Sequence, residues 1–222
     1  MEEIRIPVRF EGRILADAPA DTGPPGQTVA VLTLHGYGSS PEAMLRLTRM
    51  TVGDQCPILA MQGPFQHYAG APGGDAGYNW GIRQHHADAV RLHHEMVRRA
   101  IELVEQRFGV PGGRTLLMGF SQPVGLNYRF IGTHPGAVGG VAAICGGVPK
   151  DWETGAYGEV ATPILHIARD ADEFFPAAVA SQFPTRLAAR AKDVEFHMLP
   201  GTHRYPSKAR GIFAAWMDRV FA

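Results

Sequence analysis

The chain has 222 residues and a mass of 24.0 kDa, with 45% hydrophobic and 19% charged residues, a composition that excludes a disordered chain and suits one globular domain spanning 1–222. Lys plus Arg and Asp plus Glu number 21 each, so there is no strong field of either sign, which argues against nucleic acid and anionic membranes as partners. No apolar run reaches the roughly 20 residues of a membrane span, the acidic start Met-Glu-Glu-Ile-Arg is not a signal peptide, and two cysteines, Cys56 and Cys145, cannot make a disulfide scaffold, so a reduced, cytoplasmic protein without stable membrane insertion is expected.

Residues 4–16 read as a hairpin, with the strand formers Val8, Phe10 and Ile14 around Glu11-Gly12. Residues 18–27, rich in Pro and Gly, read as a loop. Strand and helix then alternate. The near-continuous apolar run 28–34 predicts a strand buried on both faces. Residues 41–50 predict a helix with Pro in its first turn, and 56–61 a second apolar strand. In 85–108, Val90, Val97, Ile101, Val104 and Phe108 recur at helical spacing, and Gly109 ends the helix. Four further strands are expected at 115–119, 138–145, 164–168 and 194–199. Helices are expected at 122–133, at 176–191 with a break at Pro184, and at 206–221. This alternation predicts an α/β fold: a mostly parallel twisted sheet, preceded by the antiparallel hairpin, with helices on both faces.

Ligands of such sheets bind beyond the carboxyl ends of the strands. Three clusters there carry chemistry. In Gly119-Phe120-Ser121-Gln122 a buried strand runs into a serine and then a helix, the setting in which a sharp turn presents a nucleophilic oxygen. The other Gly-x-Ser match, Gly38-Ser39-Ser40, lies in a loop. A serine needs a base to act at neutral pH, and the base needs a carboxylate to fix its tautomer. Two later strands end in turns that supply them: Asp170-Ala171-Asp172, and Gly201-Thr202-His203. At this level either aspartate serves. The loop His35-Gly36-Tyr37-Gly38 after the first parallel strand offers the backbone N–H of Tyr37, and the helix start offers that of Gln122, as an oxyanion hole. His35 itself reads as structural. Pro123 stands one residue beyond Gln122, tolerable in a first helical turn.

Ten histidines are present, but no His-x-Glu or Cys-x-x-Cys pattern supports a metal. His166 and His197 fall inside strands, and His85, His86, His93 and His94 read as a solvated face of the long helix. The segment 62–84 is a long loop that carries Phe65, Tyr68, Tyr78 and Trp80. Tyr78 and Trp80, with Phe174 and Phe175 near the Asp172 turn, are the expected substrate-pocket residues.

These pieces resemble the phospholipase/carboxylesterase family of α/β-hydrolases, which includes the acyl-protein thioesterases. The matching strings are Leu34-His35-Gly36-Tyr37-Gly38, Met61-Gln62-Gly63-Pro64, Gly119-Phe120-Ser121-Gln122, Asp172-Glu173-Phe174-Phe175-Pro176 and Gly201-Thr202-His203. The resemblance implies Ser121 as nucleophile, His203 as base and Asp172 as its orienting acid. It is the Asp-x-x-x-Pro match that selects Asp172 over Asp170. Pro123-Val124 departs from the small residues usual in the family, and Cys145-Gly146 replaces a common Ser-Gly. Between Cys145 and Ile164 there is no room for a helical cap, so an open site for modest-sized esters is expected. The resemblance thus implies a serine carboxylesterase without cofactor, monomeric or homodimeric. An acyl-protein thioesterase or lysophospholipase with the same residues is the alternative, and a non-catalytic binding relative a further one.

Overall fold

In the computed structural model, which describes residues 1–19 and 26–222, the alternation of apolar runs and amphipathic segments becomes a layered sheet. Its strands are β1 (Ile14–Asp17), β2 (Ala30–Leu34), β3 (Ile58–Met61), β6 (Thr115–Phe120), β7 (Gly140–Ile144), β8 (Ile164–Arg169) and β9 (Val194–Leu199), in the order β1-β3-β2-β6-β7-β8-β9. Between β3 and β6 in sequence, β4 (Phe65–Tyr68) and β5 (Ala76–Asn79) form a separate two-stranded hairpin. The helices are α1 (Pro41–Val52), α2 (His86–Phe108), α3 (Val124–Thr133), α4 (Ala177–Ala180), α5 (Phe183–Ala188) and α6 (Arg210–Phe221).

The central strands lack polar alternation because both faces are covered. In β2, Ala30, Leu32 and Leu34 pack with α2 and α3 residues such as Val97 and Phe130. Val31 packs on the other side with Met44 of α1 and Phe213 and Trp216 of α6. The same alternation runs through β6, where Leu117 joins the first layer and Leu116 and Met118 the second. Local chemistry sets the helix ends. The Ser40 hydroxyl accepts from the Ala43 N–H at the start of α1, and Pro41 fills its first turn. Pro184 falls in the first turn of α5, so the expected single helix is two short ones.

Two expectations are corrected. Only Ile14–Asp17 of the expected N-terminal hairpin is a strand, and it pairs antiparallel with β3 as the sheet edge. Ile4, Ile6, Val8 and Phe10 are exposed, so the apolar alternation finds no partner strand. The loop 62–84 contains the β4–β5 hairpin. The expected loop 18–27 falls mostly on residues 20–25, outside the described residues. Residues 146–163 form turns without a helix, so no helical cap covers the strand ends. Among the described residues no helix is long and apolar enough to cross a membrane.

The strand order places the site. From β2 the chain steps through α1 to β3 on one side, then crosses by α2 to β6 on the other, so the winding reverses between β2 and β6. A crevice opens at the carboxyl ends of such a strand pair.

Candidate active site

Ser121 stands at that crevice, directly after β6, with a left-handed φ of 63°. Its N–H donates to the Ile144 carbonyl at 2.8 Å, and its carbonyl accepts from Val124 N–H as α3 begins. The chain can turn this sharply because Gly119 has no side chain: a Cβ there would lie 2.7 Å from Nδ2 of Asn127 on α3. Pro123 adopts φ −73° and ψ −10° and so enters the helix without disturbing it.

Side chains from three strand ends meet here. Ser121 Oγ lies 2.8 Å from His203 Nε2, and His203 Nδ1 lies 2.7 Å from Asp172 Oδ2. Asp172 is 3% exposed, and its other oxygen accepts from the N–H groups of Phe174 (2.8 Å) and Phe175 (2.9 Å). A carboxylate only accepts, so His203 carries its proton on Nδ1 and presents Nε2 as acceptor to the serine hydroxyl. Each of the two protons along the line thus has an acceptor.

The loop that carries His203 is tied back to the β8 turn. Asp170 Oδ1 accepts from Gly201 N–H at 2.8 Å, Ala171 N–H donates to the Gly201 carbonyl, and Glu173 Oε2 accepts from His203 N–H at 3.0 Å. That amide holds the Glu173 carboxyl below its ordinary range. Phe120, Phe174 and Phe175 surround the imidazole, with ring centroids at 5.3, 4.8 and 6.1 Å. The sequence reading missed Asp170, Glu173 and Phe120 as supports. Only the two-carboxylate turn hinted at the first.

The backbone N–H groups of Tyr37 and Gln122 donate to no protein acceptor among the described residues. Both are free to meet a ligand. His35 is structural, as expected. Its Nε2 accepts from Gly63 N–H, so Nδ1 bears the proton and donates to the Gly36 carbonyl. Burial pushes its pKa down, which keeps it neutral.

The pocket residues divide. Phe174 is exposed and Phe175 half-buried, both against His203. Tyr78 is half-buried in β5. Trp80 is 1% exposed, and its Nε1–H donates to the His35 carbonyl, so it lies beneath the cleft and cannot line it. Indole burial with a satisfied N–H outweighs exposure in an open site. His93, expected on a solvated face, is buried against Asn127 and Trp80. His166 is in the core, bonded to the Tyr128 hydroxyl, while His197 is half-buried and bonded to Glu195. Cys56 and Cys145 are buried and free. Among the described residues no group of three His, Cys, Asp or Glu side chains converges to hold a metal ion.

A family model described as Phospholipase/Carboxylesterase matches residues 22–214. No curated protein sequence matches the chain. Solved structures share its fold. The carboxylesterase of Bacillus cereus superposes with a TM-score of 0.72 at 16% identity, covering 94% of each chain. SOBER1 of Arabidopsis thaliana superposes with a TM-score of 0.69 at 20% identity, over 88% of this chain and 100% of that one. A phospholipase/carboxylesterase of Dyadobacter fermentans gives 0.63 at 19% identity, over 95% and 96%.

Proposed function

The chain belongs to the phospholipase/carboxylesterase family of hydrolases, and from that premise we propose that it is a serine carboxylesterase acting on short- to medium-chain esters. The observation that carries this reading is the unbroken hydrogen-bonded line from Ser121 Oγ through His203 to Asp172 Oδ2 at the winding reversal of the sheet.

The mechanism follows from those contacts. His203 Nε2 takes the Ser121 proton as Oγ attacks the ester carbonyl. Asp172 faces the imidazolium that forms and keeps Nδ1 protonated. The N–H groups of Tyr37 and Gln122 receive the negative oxygen of the tetrahedral intermediate. His203 then hands its proton to the departing alcohol, leaving the acyl group on Ser121. Water, deprotonated by the same nitrogen, attacks this acyl-enzyme and releases the acid. The turns at 146–163 leave the site without a helical cap, which suits a modest ester in free solution. The free, buried cysteines fit the reducing cytoplasm expected for it.

A second reading, with a longer acyl chain as in a thioesterase or lysophospholipase, is favoured by one feature. A cleft of about 480 Å³ lies between the hairpin and α2, where Phe65, Gly81, Ile82 and Ala89 give an apolar wall and Asn79, Gln84, His85 and Asp88 the rest of the lining.

Hydrolysis of p-nitrophenyl esters from acetate to palmitate tests both. Activity that peaks at short chains and vanishes in Ser121→Ala supports the carboxylesterase. A peak at long chains favours the second reading. A folded wild type with no activity on any ester, and no labelling by a fluorophosphonate, overturns the enzyme reading.

A further inference from the structure

The two candidate oxyanion donors stand in separate connections, beyond the ends of the paired strands β2 and β6. Tyr37 lies in the loop after β2, and Gln122 at the threshold of α3. Neither element alone sets the distance between them, yet residues 77–81 are bonded to both.

On the Tyr37 side, Gly38 N–H donates to the Tyr78 carbonyl at 2.9 Å, and Tyr78 N–H donates to the Ser39 carbonyl at 3.0 Å. Ser39 and Tyr78 form an isolated antiparallel bridge. The backbones approach so closely that a Cβ on Gly77 would lie 2.8 Å from the Gly38 carbonyl oxygen. On the Gln122 side, Trp80 N–H donates to Gln122 Oε1 at 2.9 Å, and Gln122 Nε2 donates to the Gly81 carbonyl at 2.7 Å. The side-chain amide is thereby held at both ends. Between these anchors the Trp80 indole is buried and bonded to the His35 carbonyl at 2.8 Å, two residues before Tyr37.

We propose that residues 77–81 are a positioning strap that sets the separation and aim of the Tyr37 and Gln122 N–H groups. The proposal rests on the assignment of those groups as the oxyanion hole. The strap contributes no reacting atom. Its role follows from preorganisation: backbone donors stabilise a developing oxyanion only if they are already aimed when charge forms. Both donors sit in connections rather than in regular strand or helix, and one shared tether fixes both. The Gln122 side chain, bonded to Trp80 and Gly81, then has a purpose of its own, as the link between helix start and strap.

Two variants loosen the strap from opposite ends. Gln122→Met keeps the backbone N–H and the side-chain length but removes both amide bonds. Gly77→Ala presses a methyl group against Gly38. Loss of one oxyanion donor costs about 10²–10³ in kcat, so a donor displaced but not deleted should cost about tenfold, with KM within about twofold of wild type. An aryl trifluoromethyl ketone forms a tetrahedral adduct with an active serine, and its affinity should fall by the same factor as kcat. A merely structural role would lower the thermal midpoint without this matched loss. Folded variants with wild-type kcat and ketone affinity would overturn the strap, as would a change confined to KM. If Gly77→Ala does not fold, Gln122→Met still decides, because it leaves the strap's backbone unaltered. The underlying assignment fails separately: a wild type that neither hydrolyses esters nor binds the ketone removes the oxyanion hole, and the strap with it.

Discussion

Asp170 and Asp172 lie in one turn after β8, two residues apart, and their surroundings give them different work. Asp172 is buried, accepts two backbone N–H groups on one oxygen and faces His203 with the other. Asp170 anchors Gly201, which leads into the His203 loop. Asp172→Asn can keep the two backbone bonds, but its amide N–H₂ would face Nδ1 and favour the tautomer that protonates Nε2. A kcat loss of about 10⁴ is expected, with little change in thermal midpoint. Asp170→Asn retains an acceptor for Gly201 N–H and should leave kcat nearly unchanged. Steady-state kinetics on the pair checks this, and equal losses would show that both carboxylates orient the histidine. In the sequence the two aspartates are indistinguishable on chemistry, because the difference is one of direction and burial. Ser121 was more legible, since the strand before it and the helix after it are both written in the apolar pattern.

Helix α2 shows how a polar side chain misleads at the level of one element. Its buried stripe is Ala89, His93, Met96, Val97, Ala100 and Val104, an i, i+4, i+7 pattern that includes a histidine. Counting His93 as polar rotates the predicted face towards Val90 and Ile101. The sequence contained the right spacing, but not the Asn127 side-chain oxygen Oδ1 3.1 Å from His93 Nε2 that makes the burial tolerable. The β4–β5 hairpin was illegible for another reason: its strands have four residues each, and Ala76 and Gly77 carry little strand signal.

Buried histidines have a cost in acid. Burial pushes His93 and His166 down to about 3, and burial followed by the charge of neighbouring His134 pushes His94 down to about 4. The unfolded chain takes up these protons near 6.5, so it binds more protons than the native state between that pH and the native values. Stability is therefore complete above about pH 6.5 and falls as pH drops, by up to about 1.4 kcal/mol per pH unit for each of the two fully buried histidines. Urea unfolding at pH 7 and pH 5 measures the loss. His93→Gln can still donate to Asn127 and should show a shallower decline, and an unchanged decline would exonerate His93.

At the scale of the whole molecule the sequence was legible wherever burial is two-sided. Runs such as Ala30–Leu34 cannot be anything but central strands when helices cover both faces, and from their number and order the position of the crevice follows. The N-terminal segment fails this test. Its alternating Ile4, Ile6, Val8 and Phe10 have the period of a strand, but a strand also needs an edge to pair with, and the β3 edge is taken by Ile14–Asp17. The segment joins neither apolar layer. Arg5 pairs with Asp88 at the surface, and the Arg13 carbonyl accepts from Gln62 N–H. An exposed ion pair contributes about 0–1 kcal/mol, which for a chain of this size corresponds to a few degrees at most. Deleting residues 2–11 leaves Arg13 and β1 intact and should shift the thermal midpoint by no more than that, with ester hydrolysis unchanged. It should also raise the concentration at which the protein begins to scatter light, because an unpaired apolar strand sequence beside a sheet edge is a template for association. A midpoint lowered by about 10 °C, or a loss of turnover, would show instead that these residues pack as part of the fold and that their apolar alternation is used.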